Sequence, residues 1–481
     1  MYPWIARELI YRPLQYLRKE PVFKILEEYQ KSQWFSWGQI LTHQAELAHH
    51  LQSQIIPQIP AYQKNTLNLL SSLPAVQVFP QLQGSSFNWT YDTSSKLLSP
   101  FGNNWLTAYP LLSKQQIQSC LSNYIYTPHK EPWSYETTSG SSGTPFTFPV
   151  TRTFAAHFRA ALYRGHQWAG DLPIGAKEAR IYGLPVSSSA RNKEFLKDFL
   201  MNRIRLSVLD LSDRALESFT QQLIKWNPHY LYGYVSGLIS LTHFLIKKGR
   251  KPPQGLKSLI ATSEVLHDFE KSILENYWQV RCYNEYGASE LGILASECSA
   301  GSLHWNFEAN LLELENTTIH QDGQVSGEAI ITNFTNERMP LLRYQLGDRL
   351  SVLPSLCKCG RRSPCISISE GRLNNMVITP EGKKVSGWLF YYIYRDLLQL
   401  NPGQSRFQAI QTKPNQIDIY MSISADFYTQ AVTLFKKHCL LHLGPAIQLK
   451  FHNTSELPQT GMSGKYMPFI SQLKQIDLKS L

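Results

Sequence analysis

Between residues 151 and 283, short apolar runs of strand length alternate with longer segments whose apolar residues recur at helical spacing. The predicted strands are 180–184, 230–234, 256–261 and 280–283, and the predicted helices are 152–168, 193–201, 212–226, 237–248 and 267–277. Strands separated by helices of this length predict βαβ units and a parallel sheet with helices on both faces. Ligands of such sheets bind at the carboxyl ends of the strands, so the polar turns after the strands form the candidate site.

Composition and charge limit the classes of function. The chain has 481 residues, 43% of them hydrophobic, and a net charge of +11. A basic protein can bind nucleic acid, but the cations here are scattered in pairs such as Lys247 and Lys248, so we expect no nucleic-acid partner. No apolar run has membrane-spanning length, and residues 1–8 show no leader pattern. The seven cysteines favour a reducing compartment, and we expect a cytoplasmic protein.

A run of hydroxyl side chains and glycines at residues 136–145 precedes an apolar, β-favouring segment at 146–150. Glycine lets backbone N–H groups turn toward an anion without interference from a Cβ atom, and Ser and Thr hydroxyls add neutral donors. The lysine of the Walker phosphate loop is absent. The composition suits a flexible phosphate loop and equally a surface linker, and only motifs further along the chain separate these interpretations.

Four polar motifs follow in order, at residues 284–290, 343–348, 370–375 and 458–465. In the first, Tyr286 can stack on a base and Glu290 can hold a hard cation, although Glu290 could also cap a following helix. Asp348 in the second can accept both hydroxyls of a ribose and Arg372 in the third suits a phosphate, but both are also typical of solvated turns. Lys465 in the fourth follows a flexible turn, where a lysine is usually just solvated.

The set and the order of these motifs resemble the adenylate-forming superfamily, which contains acyl-CoA synthetases, peptide-synthetase adenylation domains and luciferases. Segments 59–62, 228–234 and 262–266 are similar to its phenylacetate:CoA ligase-like branch, also called the CapK or coenzyme F390 synthetase-like branch. The resemblance covers nearly the whole chain. It implies an α/β fold: a large N-terminal adenylation domain, residues 1–373, with mixed or parallel sheets flanked by helices, and a small mobile α+β C-terminal lid domain, residues 374–481.

The resemblance also implies which residues bind ATP and Mg²⁺. The cofactor-binding residues would be Ser139, Gly140, Ser141, Ser142, Gly143 and Thr144 at the β- and γ-phosphates, Ser263, Glu264 and Tyr286 at the adenine with Gly287 and Ser289 in the same turn, Asp348 at the ribose, and Arg372 beside ribose and phosphate. Glu290 would hold Mg²⁺, and Lys465 would bridge the carboxylate and the α-phosphate in the transition state. The implied reaction converts a carboxylate and ATP into acyl-AMP and pyrophosphate, and an acyl transfer follows.

The spacing of cysteine and histidine predicts a structural zinc site. Cys298 and His304 lie in one segment, and Cys357 and Cys359 lie in a second, which gives three thiolates and one imidazole for a tetrahedral ion. Four protein ligands leave no open position and hence no Lewis-acid chemistry, and some members of the branch have a similar cluster. Cys365 is a spare ligand if His304 points elsewhere, and buried cysteines without metal are the alternative interpretation.

The acid and the acceptor are less constrained. Trp168, Tyr182, Tyr232 and Tyr234 lie between the glycine loop and the Tyr286 turn, where enzymes of this kind bind the acid, and they favour an aromatic or otherwise apolar carboxylic acid. The expected partners are this acid and CoA, with a carrier-protein phosphopantetheine or an amine as alternative acceptors. No membrane span is expected, and a homodimer is left open.

Two features leave other classes of function open. Asn374 and Asn375 stand where relatives commonly carry an aspartate after the Gly-Arg pair, which puts the rotation of the C-terminal domain in question, although asparagine also suits a hinge. A catalytically silent relative that binds a ligand or partner would tolerate this change. The basic charge and the zinc-binding insertion at 298–359 would also suit a nucleic-acid-binding protein.

Overall fold

The structure is a computed structural model. It describes residues 2–63, 90–92, 97–99, 106, 109–137, 146–183, 188–372, 376–382, 384–386, 389–390, 393–394, 396–397, 406–454, 457–458 and 468–473. The glycine loop at 139–144, the asparagine pair at 374–375 and Lys465 lie outside the described residues, and the roles assigned to them stay predictions.

Helices form the N-terminal region and cover the large sheet. The helices are α1 (Pro3–Ile5), a π-helical segment (Ala6–Tyr11), α2 (Arg12–Leu17), α3 (Val22–Ser32), α4 (Trp37–His50), a second π-helical segment (Leu51–Ile55), 3₁₀ turns at Ile56–Gln58 and Leu121–Tyr124, α5 (Lys114–Ser119), α6 (Arg152–Trp168), α7 (Ser188–Leu200), α8 (Asp213–Trp226), α9 (Val235–Lys247), α10 (Asp268–Trp278) and α11 (Ala425–Leu443). Within the described ranges, no helix combines the length and the apolar content needed to cross a bilayer.

Thirteen strands form one mixed sheet, and smaller sheets accompany it. The strands are β1 (Thr90–Asp92), β2 (Leu97–Ser99), β3 (Trp133–Thr137), β4 (Thr147–Thr151), β5 (Glu178–Tyr182), β6 (Arg203–Ser207), β7 (Tyr230–Tyr234), β8 (Ser258–Thr262), β9 (Cys282–Ala288), β10 (Gly292–Glu297), β11 (Leu303–Trp305), β12 (Asn310–Ile319), β13 (Val325–Asn333), β14 (Tyr344–Val352), β15 (Cys365–Arg372), β16 (Met376–Ile378), β17 (Lys384–Ser386), β18 (Arg406–Lys413), β19 (Gln416–Ser422), β20 (Gln448–Asn453) and β21 (Phe469–Ser471). The large sheet has the order β1-β2-β12-β13-β14-β15-β11-β10-β9-β8-β7-β5-β6. Strands β5 to β9 pair in parallel, and the remaining neighbours pair antiparallel.

The predicted parallel sheet is confirmed, but one of its strands, β6, was not predicted. Arginines alternate with apolar residues along β6, a pattern that composition alone does not mark as buried. Arg203 is buried because it pairs with Glu178. The side chain of Arg205 is shielded from solvent, and it pairs with Asp198 in α7. A search for apolar runs does not find a strand whose buried charges are compensated, because the partners of those charges are not evident from the sequence.

The parallel half of the sheet has two faces of different character. On one face, Leu231 and Leu259 pack in an apolar core with residues of α8, α9 and α10. On the other face, the rings of Tyr230 and Tyr232 contact His166 of α6, at centroid distances of 5.2 and 5.5 Å. The second face is therefore the one that carries polar and aromatic side chains toward the carboxyl edge.

The C-terminal part forms its own sheet, in the order β20-β19-β18-β21, and α11 packs on it. Phe407, Phe435 and Phe469 are central to this core. The Arg406 guanidinium donates to the Ser240 hydroxyl of α9 at 2.6 Å, which joins the smaller sheet to the helices of the larger one. The predicted fold class is confirmed, and the predicted boundary at 373 and 374 stays a prediction because residues 373–375 are not described.

Glu270 in the first turn of α10 allows a stability prediction. Its buried carboxylate accepts from the His267 amide at 3.2 Å, and burial raises its pKa to about 8, with nearby Glu264 adding to the shift. The folded protein retains a proton that the unfolded chain releases at lower pH, so stability falls as pH rises toward 8. We expect Glu270→Gln to remove this pH-dependent loss of stability. The free energy of unfolding of the variant should rise relative to that of the wild type by about 1 kcal/mol per pH unit between about pH 5 and about pH 8.

Urea unfolding of both proteins across this pH range measures the difference. Asp268→Asn, at an exposed position in the same turn, is the control and should follow the wild type. A stability difference between Glu270→Gln and the wild type that stays constant across the range would contradict the assignment of the titration to Glu270.

Candidate active site

Two polar turns from distant parts of the chain meet at the carboxyl edge of the sheet. Tyr286 lies near the end of β9, and its hydroxyl donates to Asp348 Oδ2 in β14 at 2.7 Å. In the backbone register of β14 and β15, Asp348 pairs with Arg372. The structure therefore brings together three of the residues that the sequence assigned to a nucleotide, although 62 positions separate the first two.

Glu290 lies at the same edge, in the turn between β9 and β10. Its side chain is buried, and the Tyr344 hydroxyl of β14 donates to its Oε1 at 2.9 Å. The alternative in which Glu290 caps a helix is wrong, because residues 292–297 form a strand. Tyr344 and Asp348 lie on the same strand. Of the two acids assigned to the ATP–magnesium complex, β14 therefore carries Asp348 and contacts Glu290.

The turn after Tyr286 requires glycine. A Cβ atom on Gly287 would lie 2.7 Å from the carbonyl oxygen of Gly292, closer than side chains pack in proteins, so any larger residue would displace β10. Ser289 is exposed beyond this point. The close approach of the two strands keeps Tyr286 and Glu290 near each other.

Ser263 and Glu264 follow β8 at the same edge. Ser263 has a φ of 69°, and its hydroxyl lies 3.4 Å from that of Tyr182. The Glu264 carboxylate accepts from the amide and the hydroxyl of Ser236, at 2.7 and 3.0 Å, at the first turn of α9. Glu264 thus holds the loop against a helix N-terminus, where a carboxylate is favoured, and its place beside the adenine stays a prediction.

Strands β3 and β4 flank the glycine loop in the sequence, and the loop itself lies outside the described residues. The two strands pair from Trp133 and Thr151 to Thr137 and Thr147, and the hydroxyls of the last pair lie 2.9 Å apart. The phosphate-binding role of the glycine loop stays a prediction.

Sequence analysis missed Glu285, the residue before Tyr286. Its carboxylate is buried, and the Tyr232 hydroxyl donates to Oε1 at 2.7 Å. Burial raises the pKa of Glu285 to about 7, against the lowering effect of the hydrogen bonds from Tyr232 and Thr262. A signal was present in the sequence, because Glu285 lies in the first polar motif, two residues after the end of the predicted strand at 283.

The four predicted zinc ligands converge. The Sγ atoms of Cys298 and Cys357 lie 3.6 Å apart, Cys359 Sγ lies 3.3 Å from His304 Nε2, and all four ligand atoms lie within 4.8 Å of one another. Zinc–sulfur bonds of about 2.3 Å in a tetrahedron place sulfur atoms about 3.7 Å apart. The donor set and its spacing therefore fit one tetrahedral zinc ion.

The surroundings of His304 favour the ring orientation in which Nε2 faces the cysteines. Its Nδ1 lies 3.0 Å from the Ser363 hydroxyl, which leaves Nε2 facing the thiolates. Cys365, the spare ligand candidate, lies 3.8 Å from Nδ1 and outside the group of four. Trp168, which the sequence suggested for the acid pocket, instead contacts the His304 ring at a centroid distance of 5.8 Å.

Three strands link this cluster to the nucleotide turns. Cys298 follows β10, which begins just after Glu290, while Cys357 and Cys359 lie between β14 and β15, which carry Asp348 and Arg372. A metal bound by both segments would fix these strands relative to each other. The predicted position of the cluster beside the nucleotide motifs thus has a topological basis.

The sequence is similar to those of several known proteins. No model of a known protein family matches the chain. The chain is 24% identical to protein CapK of Staphylococcus aureus over 245 residues, which cover 50% of this chain and 53% of CapK. It is 23% identical to phenylacetate-coenzyme A ligase of Pseudomonas putida over 286 residues, 57% of this chain and 62% of the relative. The matched regions thus span less than two thirds of the length of either relative.

The fold is similar to that of 2-hydroxyisobutyryl-CoA ligase, solved in the postadenylation state with an acyl-AMP. The TM-score is 0.60 at 14% identity, and the likeness covers 90% of this chain and 88% of the ligase. At this identity the likeness concerns the fold alone. The sequence relatives are CapK and a phenylacetate-coenzyme A ligase, and the fold is that of an acyl-CoA ligase, so both comparisons are consistent with the predicted resemblance to the adenylate-forming superfamily and its phenylacetate:CoA ligase-like branch.

Proposed function

We propose that this protein activates a carboxylic acid with ATP, releases pyrophosphate, and transfers the acyl group from acyl-AMP to CoA. The observation that carries the proposal is the meeting of Tyr286, Asp348 and Glu290 at one edge of the sheet. ATP with magnesium needs an aromatic surface for the base, an acceptor for the ribose hydroxyls and a carboxylate for the metal within one cleft. These three residues offer that set.

In the first step, a carboxylate oxygen of the acid would attack the α-phosphorus of ATP. A bond forms between that oxygen and the phosphorus, and the bond from the α-phosphorus to the oxygen bridging to the β-phosphorus breaks, so pyrophosphate leaves with the electron pair. Mg²⁺ bound at Glu290 would neutralise phosphate charge that faces the carboxylate. The glycine loop at 139–144 would hold the β- and γ-phosphates, and Lys465 would stabilise the charge at the α-phosphate.

In the second step, the CoA thiol would attack the acyl carbon, AMP would leave, and the thiol proton would pass to solvent. A ligase that uses coenzyme A is among the sequence relatives, which supports this acceptor. A carrier-protein phosphopantetheine presents the same thiol, and an amine is the third acceptor. Product analysis with each of them decides among the three.

Three tyrosines support an aromatic or otherwise apolar acid. The rings of Tyr182 and Tyr232 stack at a centroid distance of 6.1 Å, and Tyr182 meets Tyr234 edge-on at 4.6 Å. They lie on β5 and β7, and in the sheet order β8 separates β7 from β9, which carries Tyr286. A wall of this kind suits a planar, largely apolar acid.

We also propose that Cys298, His304, Cys357 and Cys359 hold a structural Zn²⁺. Their ligand atoms all lie within 4.8 Å of one another, and Ser363 lies in hydrogen-bonding distance of the His304 ring nitrogen that faces away from the thiolates. With four protein ligands the ion would have no position for a substrate. Its contribution would be to stability.

Replacing Asp348 tests the ribose contact. We expect Asp348→Ala to raise the KM for ATP by about 10- to 100-fold, because hydrogen bonds to a charged acceptor contribute about 1.5 to 3 kcal/mol. Tyr286→Phe should raise the KM less, because it removes only the hydroxyl that orients the carboxylate. Initial rates at varied ATP measure both effects. Asp322→Ala, at an exposed turn, is the control, and an unchanged KM in Asp348→Ala would refute the contact.

The test of the proposed function is the exchange of labelled pyrophosphate into ATP across panels of aryl, fatty and amino acids. We expect exchange that requires Mg²⁺ and one class of acid, followed by thioester formation when CoA is added. Absence of exchange with every acid, in a protein that binds ATP, would instead support a catalytically silent relative.

A further inference from the structure

The deep part of the tyrosine face contains an incompletely paired acid and imidazole. Glu285 has 3% of its surface exposed and His166 of α6 has 5%. His166 Nε2 lies 3.9 Å from Glu285 Oε2, beyond hydrogen-bond distance, and it has no hydrogen-bond partner among the described residues. Buried polar atoms are nearly always paired, so His166 Nε2 is a position at which a bound group could supply the missing hydrogen bond.

A second buried acid nearby shows what a purely structural arrangement looks like. Glu178, one layer below in the same sheet, accepts from Tyr230 at 2.8 Å and from Arg203 at 2.9 Å, and it also pairs with Arg180. Its charge is compensated by two guanidinium groups, which keeps its pKa well below the ordinary value despite burial. Among the described residues, no guanidinium or ammonium group forms an ion pair with Glu285, although the charge of Arg180 acts on it from further away.

The position of Glu285 brings its side chain next to the tyrosines proposed to contact the acid. Consecutive residues of a strand point to opposite faces, so Glu285 and Tyr286 lie back to back, and Tyr286 contacts Asp348 at the nucleotide side. Glu285 faces the tyrosines instead, through its hydrogen bond from Tyr232. A ring that lies against Tyr182 and Tyr232 would direct its far substituent toward the Glu285 carboxylate.

We propose that the acid substrate is an aromatic carboxylic acid with a hydroxyl or amino substituent, which donates to Glu285 Oε2 and also contacts His166 Nε2. This inference rests on the proposed function, because it assigns the substrate class of the same site. A hydroxyl group that reaches both side chains donates its hydrogen to the carboxylate and accepts a hydrogen bond from the imidazole N–H. An amino group has two hydrogens and donates one to the carboxylate and one to the unprotonated imidazole nitrogen. An unsubstituted ring would leave His166 Nε2 unpaired and would bring no donor to Glu285 Oε2.

Burial sets the charge states that this contact requires. It lowers the pKa of His166 to about 4, so the ring is neutral and one of its nitrogens can accept. The carboxyl of Glu285, with its pKa near neutrality, can become a full acceptor when a donor binds. The contact therefore needs no cationic substrate.

Pyrophosphate exchange with matched acids tests the inference in the full-length protein. The pairs are benzoate and phenylacetate, each compared with its hydroxy and amino derivatives. We expect kcat/KM for a substituted acid to exceed that of its parent by at least about tenfold. Glu285→Leu should reverse this order by lowering the rate for substituted acids and sparing or raising that for the parents. Tyr232→Phe, a milder change, should raise the KM for substituted acids only.

The controls separate three outcomes. Glu217→Gln, on the outer helix α8 where it pairs with Arg250, should leave the specificity unchanged. Equal activity of the wild type with parent and substituted acids, or an equal loss for both in Glu285→Leu and Tyr232→Phe, would overturn the inference and leave the ligase function intact. Exchange with no acid at all would instead overturn the proposed function on which the inference rests.

Discussion

Lys465→Ala is expected to lose the adenylation half-reaction by about three powers of ten while the protein stays folded. The lysine would contact the carboxylate and the α-phosphate as negative charge redistributes between them, so its contribution would be larger in the transition state than in the ground state. The effect should therefore appear in kcat for exchange and much less in the KM for ATP. Thermal unfolding of the variant checks that the fold is retained.

Lys450→Ala is the matched control, because Lys450 is an exposed lysine of β20 in the same C-terminal part. It should retain wild-type exchange, since a solvated lysine contributes little to a distant reaction. Thioester formation from chemically prepared acyl-AMP should survive in Lys465→Ala, because the lysine is assigned to the first step alone. Wild-type exchange in Lys465→Ala would remove its assigned role.

Cys357→Ser and Cys359→Ser are expected to lower the bound zinc from about one ion per chain to nearly none, and to lower thermal stability. The effect is large because the ion would join segments before β11 and after β14, and three ligands with one weak hydroxyl donor hold zinc poorly. Metal analysis of the purified proteins measures the first effect, and thermal unfolding measures the second. Chelation of the wild type should reproduce both changes.

Two other cysteines provide controls for this prediction. Cys120 is exposed and distant in sequence from the cluster, so Cys120→Ser should retain zinc. Cys365 lies on the Nδ1 side of His304, outside the four proposed ligands, so Cys365→Ser should also retain the ion. Wild-type protein that contains no zinc, or loss of zinc in Cys365→Ser with retention in Cys357→Ser, would contradict the assigned ligands.

Periodicity predicted the parallel half of the sheet well, for a physical reason. Central strands such as β7 are buried on both faces and therefore consist of uncharged, mostly aromatic and aliphatic residues, and the helices between them have one apolar stripe each. The order of the motifs also indicated that Tyr286 and Asp348 share a site. The hydrogen bond between them could not be predicted, because it depends on how β14 and β15 complete the antiparallel half of the sheet.

Other parts of the site were missed because they depend on packing between distant segments. Trp168 is only two residues from His166, yet it lies beside His304 and Arg361, away from the tyrosine face. A helix turns by about 100° per residue, and which of its sides faces the sheet is decided by the whole fold. The same reason hid the approach of His166 to Glu285, which the sequence separates by more than a hundred positions.

The transfer of oxygen from the acid to AMP is the most direct test of the mixed-anhydride chemistry. Once the acid is identified, it can be labelled with ¹⁸O in its carboxylate and incubated with the protein, ATP, Mg²⁺ and CoA. Attack of the carboxylate on the α-phosphorus predicts one ¹⁸O atom in the AMP released and none in pyrophosphate. Label in inorganic phosphate together with ADP, or AMP without label, would contradict it.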